Sequence, residues 1–321
     1  MKAGLAESGL TVQKSDYVDR IQTDKGPFMQ IAFHIGAHCT DEDRLLKSLL
    51  RNATVLLRQG IAVPGPGKYR ALIRETIQAL EGTAPPAETR SILLDAICEN
   101  DAIDRLVLSN QNFICVPNRI FANGLFYGQA EKRVRVLHEL FEGDDIALFF
   151  AIRHPAIFLQ EAFKRSKTTS FGDYLGMLHP GDLSWANVIA RIKAAAPDTP
   201  LTVWCNEDSP LLWDQLIRQM SNAAPDTALT GGLDLLSAII TKDGMELLAE
   251  DFRKTPPKTD AARHDIIARI WQDHAVQDQL QDVIDLPALS PSLVAEMTEN
   301  YEDDIAQIAQ MPGVRLLMPF R

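Results

Sequence analysis

The sequence MQIAFHIGAHCTDEDRLL, residues 29–46, decides the fold. A nearly continuous apolar run leads into Gly36, the chain turns, and a helical pattern follows. The apolar residues of this helical pattern share one stripe, at positions 45, 46, 49, 50, 53, 56 and 57. A buried strand, a glycine turn and an amphipathic helix in this order predict the first unit of a parallel α/β sheet.

Three further apolar runs predict strands that alternate with helices: RLVLSNQNF (105–113), IALFFAIRH (146–154) and LTVWCNE (201–207). After residue 207 the pattern is helical to the end. We therefore expect an α/β fold with an open, mainly parallel sheet of about four to five strands, flanked by helices, and a helical C-terminal third. Because residues 1–27 are polar and weakly periodic, we expect an N-terminal extension there and one α/β domain over 28–321.

Charge and composition limit the partners. The net charge of −11 disfavours nucleic acids and anionic membranes, which attract basic proteins. Four cysteines in 321 residues are too few for a disulfide framework, and the first residues lack the apolar core of a signal peptide. The longest apolar run, IALFFAI at 146–152, is too short to cross a bilayer. These features predict a soluble, cytoplasmic protein that binds neither nucleic acid nor membrane.

The candidate site is the edge of the sheet where the strands end, because open α/β sheets bind ligands beyond the carboxyl ends of their strands. The residues there are His38, Cys39 and Thr40, then Asn110–Asn112, then Arg153 and His154, and finally Cys205–Glu207. Thiolate and imidazole groups together would suit zinc. No pair of cysteines has the C-x-x-C spacing, however, and we expect no metal site.

The order of these motifs resembles the sulfotransferase family, whose members take sulfate from 3′-phosphoadenosine 5′-phosphosulfate. The resemblance covers about residues 29–320. Bacterial members carry a sequence like HIGAHKTGTT, and HIGAHCTDED (34–43) matches its first half. IRHPAIFLQEAFKRS (152–166) is similar to the family's R-x-P strand end and the helix after it. The sequences SFGDYL and LSW, a strand ending at Glu207, and a closing helix follow in the expected order.

The resemblance implies a cofactor site formed by Gly36, His38, Thr40 and Arg153. Backbone amides at the helix start would complete the phosphate cradle. It also implies 3′-phosphoadenosine 5′-phosphosulfate as the cofactor of an active member, and a glycan or a small hydroxyl compound as the acceptor of the sulfuryl group.

The turn itself departs from the family pattern. Cys39 stands at the position of the family's lysine, and a Gly-Thr-Thr sequence is replaced by Asp41, Glu42 and Asp43. Each close contact between such a carboxylate and a dianion would cost on the order of 1 kcal/mol. Carboxylates at a helix start favour the macrodipole and cap its amides, so we interpret these three as helix-capping residues.

Two other elements also depart. The family has a serine eight residues after its arginine, and here that position after Arg153 is Glu161. Arg153 therefore either binds a phosphate or forms an ion pair with a nearby acid such as Glu207 or Asp41. Lys164, Arg165 and Lys167 either supply replacement charge or form a solvated helix face. The acid expected after the second strand is Gln111, which cannot act as a general base.

These departures predict a sulfotransferase-like protein with a degenerate cofactor site and a non-catalytic binding or structural role, without a bound cofactor. One alternative is an active sulfotransferase that binds the donor through Arg153, Thr40, backbone amides and relocated cations. The other is an oligomerising interaction protein that uses the helical C-terminal third to contact a second copy or another protein.

Overall fold

The computed structural model of the protein describes residues 28–98, 102–276 and 283–319, so the N-terminal extension expected over 1–27 lies outside the described residues. Within them, six parallel strands form one open sheet in the order β2-β3-β1-β4-β5-β6. The strands are β1 (Gln30–Gly36), β2 (Ile61–Ala62), β3 (Arg105–Ser109), β4 (Asp145–Ile152), β5 (Leu201–Cys205) and β6 (Val314–Leu317).

The predicted open parallel sheet flanked by helices is confirmed, with one or two strands more than the four to five expected. The two additional strands are β2, of two residues, and β6, of four. Such short edge strands lack the length that an apolar run needs to be recognised. Because β6 pairs with β5, the chain after residue 207 is mainly but not entirely helical.

Helices cover both faces of the sheet. Their bounds are α1 (Arg44–Arg51), α2 (Ala53–Leu57), α3 (Pro66–Ala79), α4 (Thr89–Ile97), α5 (Ala130–Leu140), α6 (Pro155–Arg165), α7 (Phe171–Leu175), α8 (Trp185–Ala195), α9 (Ser209–Ser221), α10 (Leu236–Ile239), α11 (Lys242–Lys254), α12 (Asp260–His274) and α13 (Pro291–Ile308). None of these helices is both long and apolar enough to span a membrane.

The single helix expected over residues 45–57 is divided at Asn52. The Asn52 amide group donates to the Ser48 carbonyl at 2.8 Å and to the Thr230 carbonyl at 2.9 Å, while its Oδ1 accepts from the Thr230 backbone amide. Asn52 is buried, so these bonds replace contacts with water. A side chain that bonds the backbone in this way competes with the helical ladder, which explains the break between α1 and α2.

The two faces of the sheet bury separate cores because side chains alternate along each strand. On β1, Ile31, Phe33 and Ile35 contact the larger core, while Ala32 contacts the smaller one beneath α1 and α9. The larger core also holds the buried faces of α5, α6, α8 and α13. A third, small cluster lies between α11 and α12.

The strand order places a topological switch point between β1 and β4. From β1 the chain adds β2 and β3 on one side of the sheet, and then returns to add β4, β5 and β6 on the other. The loops leaving β1 and β4 therefore diverge to opposite sides and open a crevice between them, which is where open α/β sheets bind ligands. Residues 37–43 and Arg153 lie in these two loops.

Candidate functional site

The loop after β1 begins with a conformation that requires glycine. Gly36 has a φ of +140°, and a Cβ at this position would lie 3.2 Å from a ring carbon of Phe150. The next amide, of Ala37, donates to the Ala151 carbonyl on β4 at 3.0 Å. Gly36 therefore fixes the loop closely against β4.

His38, which we expect to bind the cofactor in an active member, is buried in the protein interior. Its Nδ1 lies 2.7 Å from the Tyr127 hydroxyl, and its backbone amide donates to the same hydroxyl oxygen at 3.0 Å. Its Nε2 lies 2.9 Å from the Cys115 carbonyl and 3.0 Å from Asn112 Oδ1. Since both partners of Nε2 accept, we assign the proton to Nε2 and infer that Tyr127 donates to Nδ1.

The ring of His38 is neutral at neutral pH, because burial lowers its pKa to about 4. A neutral imidazole whose two nitrogens are both hydrogen-bonded to the protein has no donor left for a phosphate. The structure thus places His38 at the expected edge of the sheet but gives it protein partners.

Thr40 and the start of α1 also form internal hydrogen bonds. The Thr40 hydroxyl donates to the Ala37 carbonyl at 2.9 Å, which uses its only proton. The amide of Arg44 donates to the Asp41 carbonyl at 2.9 Å, and the amide of Leu45 donates to the Asp41 carboxylate at 3.1 Å. Two of the amides that would cradle an anion at the helix start are therefore already satisfied.

The three acidic residues of the loop differ in their roles, and the expectation that all three cap the helix is wrong for two of them. Of the three, only Asp41 accepts from an amide of α1 with its side chain. Asp43 occupies the N-cap position without a side-chain bond to the helix, and its carboxylate instead pairs with Arg70 on α3. Glu42 pairs with Arg165 at the end of α6. The pattern of acids before a helix did not show that partners from other helices were available.

The cations near the loop neutralise these acids. Hydrogen bonds from Arg70 lower the pKa of the Asp43 carboxyl. Arg165, expected either to supply charge for a cofactor or to face solvent, binds Glu42, and Lys164 binds Glu161 at 2.8 Å. Lys167 is exposed. Two of the three candidate replacement cations thus have acidic partners within the protein.

Arg153 lies at the end of β4, where it was expected. Its Nη1 donates to the Cys39 carbonyl at 2.6 Å, and its own carbonyl accepts from the indole of Trp185 at 2.7 Å. The acids proposed as its ion-pair partners bond other groups. Glu207 accepts from the His154 amide and from the Tyr301 hydroxyl, and Asp41 accepts from Leu45. Arg153 therefore holds the two diverging loops together.

The cysteines of this edge are buried thiols. Burial raises the pKa of Cys39 to about 11 and that of Cys115 to about 12. Over residues 28–98, 102–276 and 283–319, no group of three or more His, Cys, Asp or Glu side chains could hold a metal ion. A thiol with a raised pKa is a poor nucleophile and a poor metal ligand.

Two residues that form the site were not identified from the sequence. Tyr127 satisfies His38 from 89 positions away, and Arg70 lies within PGPGKYR, which resembles an ordinary turn followed by a helix. Neither has a local sequence signal. No family model matches this chain, and no match was found among curated proteins or solved structures.

Proposed function

We propose that this chain is a sulfotransferase-like protein that acts by binding and does not transfer sulfuryl groups. The proposal rests on the resemblance of its motifs to that family and on the geometry of the loop after β1. In that loop, the groups that would hold a phosphosulfate are occupied by the protein itself.

The interaction of His38 with Tyr127 carries the proposal. The Tyr127 hydroxyl accepts a hydrogen bond from the backbone amide of His38 and also bonds Nδ1 of its ring, and both residues are buried. A phosphate could reach this amide only by displacing Tyr127, which is fully buried. Breaking such buried bonds costs about 1–3 kcal/mol for each group left unsatisfied.

Charge in the loop supports the same proposal. The lysine that would stabilise the transferring group is replaced by the thiol of Cys39, which is neutral at pH 7 because its pKa is raised. The carboxylates of Asp41, Glu42 and Asp43 occupy the positions of the family's glycine and threonines, which would leave room for a dianion and bond it. Arg70 and Arg165 bind two of these carboxylates and are thereby engaged.

A location in a reducing compartment, the cytoplasm, fits this protein. Its four cysteines are thiols and none forms a disulfide. A ligand would enter the crevice between the β1 and β4 loops, and we propose a glycan or a small hydroxyl compound, the acceptor class that the resemblance implies.

Calorimetric titration with 3′-phosphoadenosine 5′-phosphate tests the absence of donor binding. We expect no heat of binding at ligand concentrations up to about 1 mM. The matched variant is Arg153→Ala, which removes the one cation that the family pattern retains. A dissociation constant below about 100 µM that Arg153→Ala abolishes would support an active sulfotransferase and contradict the proposal.

A transfer assay gives the second measurement. Labelled 3′-phosphoadenosine 5′-phosphosulfate and a set of glycan and phenol acceptors should give no labelled product above a blank without protein. Product formation that depends on the protein, and that is lost in Arg153→Ala, would overturn the proposal.

A further inference from the structure

A second cavity, of about 490 Å³, lies away from the β1–β4 crevice, between the end of α3 and the start of α5. Its walls include three cations, Arg119, Lys132 and Arg133, and one carboxylate, Glu81, among the residues that the structure describes. A volume of this size lies within the range of pockets that bind small molecules.

In the part of the chain that the structure describes, no acid pairs with any of these three cations. Among the described residues, none of the three side chains forms an ion pair or a hydrogen bond, although the protein carries a net charge of −11. The nearby acid Glu131 acts on Arg191, and Glu75 pairs with Arg74. In a protein with this excess of acids, three neighbouring cations that all lack acidic partners indicate a site for an external anion.

Two of these cations repel each other. Arg133 is half-buried, and its pKa is lowered first by burial and also by the charge of Arg119. The charges of both arginines also act on the thiol of Cys115, so both lie near that residue. Arg119 is exposed, whereas Arg133 is partly withdrawn from water, and an anion between the two guanidinium groups would relieve their repulsion.

The remaining walls suit a hydroxylated body. Asn123 and Gln129 contribute amide groups, which both donate and accept hydrogen bonds. Ile77, Leu80 and Val136 form an apolar wall, against which the C–H face of a sugar ring can pack. Gly82 also lines the cavity, and a Cβ there would lie 3.8 Å from Lys132 Nζ.

We propose that this cavity binds a small anionic carbohydrate with at least two anionic groups, held by Arg119, Lys132 and Arg133. The anionic groups can be sulfate, carboxylate or phosphate, because all three accept charge-assisted hydrogen bonds from guanidinium and ammonium groups. The carbohydrate body contacts the amides and the apolar wall. This site is separate from the one in the proposed function and does not depend on it.

Calorimetry with three probes tests the site and distinguishes the sources of the anion. The probes are a disulfated disaccharide, fructose 1,6-bisphosphate, and glucose as the neutral control. We expect at least one anionic probe to bind with a dissociation constant below about 1 mM, and glucose not to bind. The stronger of the two anionic probes identifies sulfate or phosphate as the preferred group. Failure of both anionic probes to bind at about 5 mM would overturn the proposal.

Variants assign the binding to this cavity. Lys132→Gln and Arg133→Gln should each weaken binding at least about tenfold, because each removes a charge-assisted bond. The matched control is Arg135→Gln, an equal change of charge at an exposed position of the same helix, outside the cavity. It should leave affinity unchanged within about twofold. If Arg135→Gln weakened binding of the anionic probe as much as the cavity variants do, the effect would come from net charge alone and would contradict binding in this cavity.

Thermal unfolding of the variants and ligand binding by Arg153→Ala separate loss of the site from loss of folding and from binding elsewhere. Lys132 is exposed, so Lys132→Gln should unfold at the same temperature as the unmodified protein even if Arg133→Gln does not. Arg153→Ala should leave binding of the anionic carbohydrate unchanged. Loss of binding in Arg153→Ala would place the ligand in the β1–β4 crevice and overturn this site.

Discussion

Asp43 and Arg70 form a two-point ion pair, with 2.6 Å between Oδ1 and Nη2 and 2.9 Å between Oδ2 and Nη1. Arg70 also donates to the Ser109 carbonyl at the end of β3, from Nε at 3.0 Å and from Nη2 at 2.8 Å. One guanidinium thus joins the loop after β1 to α3 and to β3. This arrangement explains how the acidic loop is held at this edge of the sheet.

Arg70→Ala should lower the free energy of unfolding by about 1–3 kcal/mol, because it removes charge-assisted bonds to Asp43 and Ser109 from a site that is partly screened by solvent. Urea denaturation at pH 7 measures this change. The control is Arg74→Ala, one turn further along α3, where an exposed pair with Glu75 is worth less than about 0.5 kcal/mol. Equal effects of the two substitutions would show that the Asp43–Arg70 pair does not hold the loop.

Tyr127→Phe should lower the free energy of unfolding by about 2–4 kcal/mol, because it leaves both the backbone amide and Nδ1 of His38 buried without a partner. The control is Tyr174→Phe, which removes one hydroxyl bond to the Pro117 carbonyl at 3.1 Å and should cost about 1 kcal/mol. Urea denaturation of both variants gives the comparison. A smaller loss in Tyr127→Phe than in Tyr174→Phe would contradict the geometry of His38.

The fold could be predicted from the sequence because its four central strands are long, apolar and buried. β4 runs for eight residues, seven of which are at least partly buried, so its signal does not depend on any distant partner. β2 has only two residues and pairs at positions 61 and 62 with β3. Its pairing is set by the position of β3, and no local pattern of side chains could indicate it.

The position of the candidate residues at one edge of the sheet could be predicted from the sequence, but their hydrogen-bond partners could not. Gly36 and Arg153 lie at the ends of neighbouring parallel strands, as strand order and the glycine turn predict. The state of His38 depends on the carbonyl of Cys115, 77 positions away, and on Tyr127. A histidine after a strand has the same appearance in a sequence whether it faces a ligand or a buried tyrosine, and only the packing of distant segments distinguishes the two.

The free energy of unfolding should decrease as the pH is lowered from 6.5 to 4, because of His38. The pKa of His38 is about 4 in the folded protein, against the ordinary value of 6.5 that applies to the unfolded chain. Between these two pH values the unfolded chain binds a proton at this residue and the folded protein does not. The loss at pH 4 relative to pH 7 should be about 3 kcal/mol larger in the unmodified protein than in His38→Gln, which does not titrate. His34, also buried with a lowered pKa, is present in both proteins and cancels. Parallel pH curves in urea denaturation would contradict a neutral, buried His38.

Alkylation by iodoacetamide at pH 8 should modify Cys98 first. Cys39, Cys115 and Cys205 are buried, whereas Cys98 is partly exposed. The pKa of Cys39 is raised to about 11 and that of Cys115 to about 12, so their thiolate fractions are small, and we expect both to react at least about ten times more slowly than Cys98. Mass spectrometry of tryptic peptides measures the order, and the same reaction in urea, where all four thiols are exposed, provides the control. If Cys39 reacted as fast as Cys98 in the folded protein, the loop after β1 would be open to solvent. This result would contradict the proposed function, which depends on that loop being filled by its own side chains.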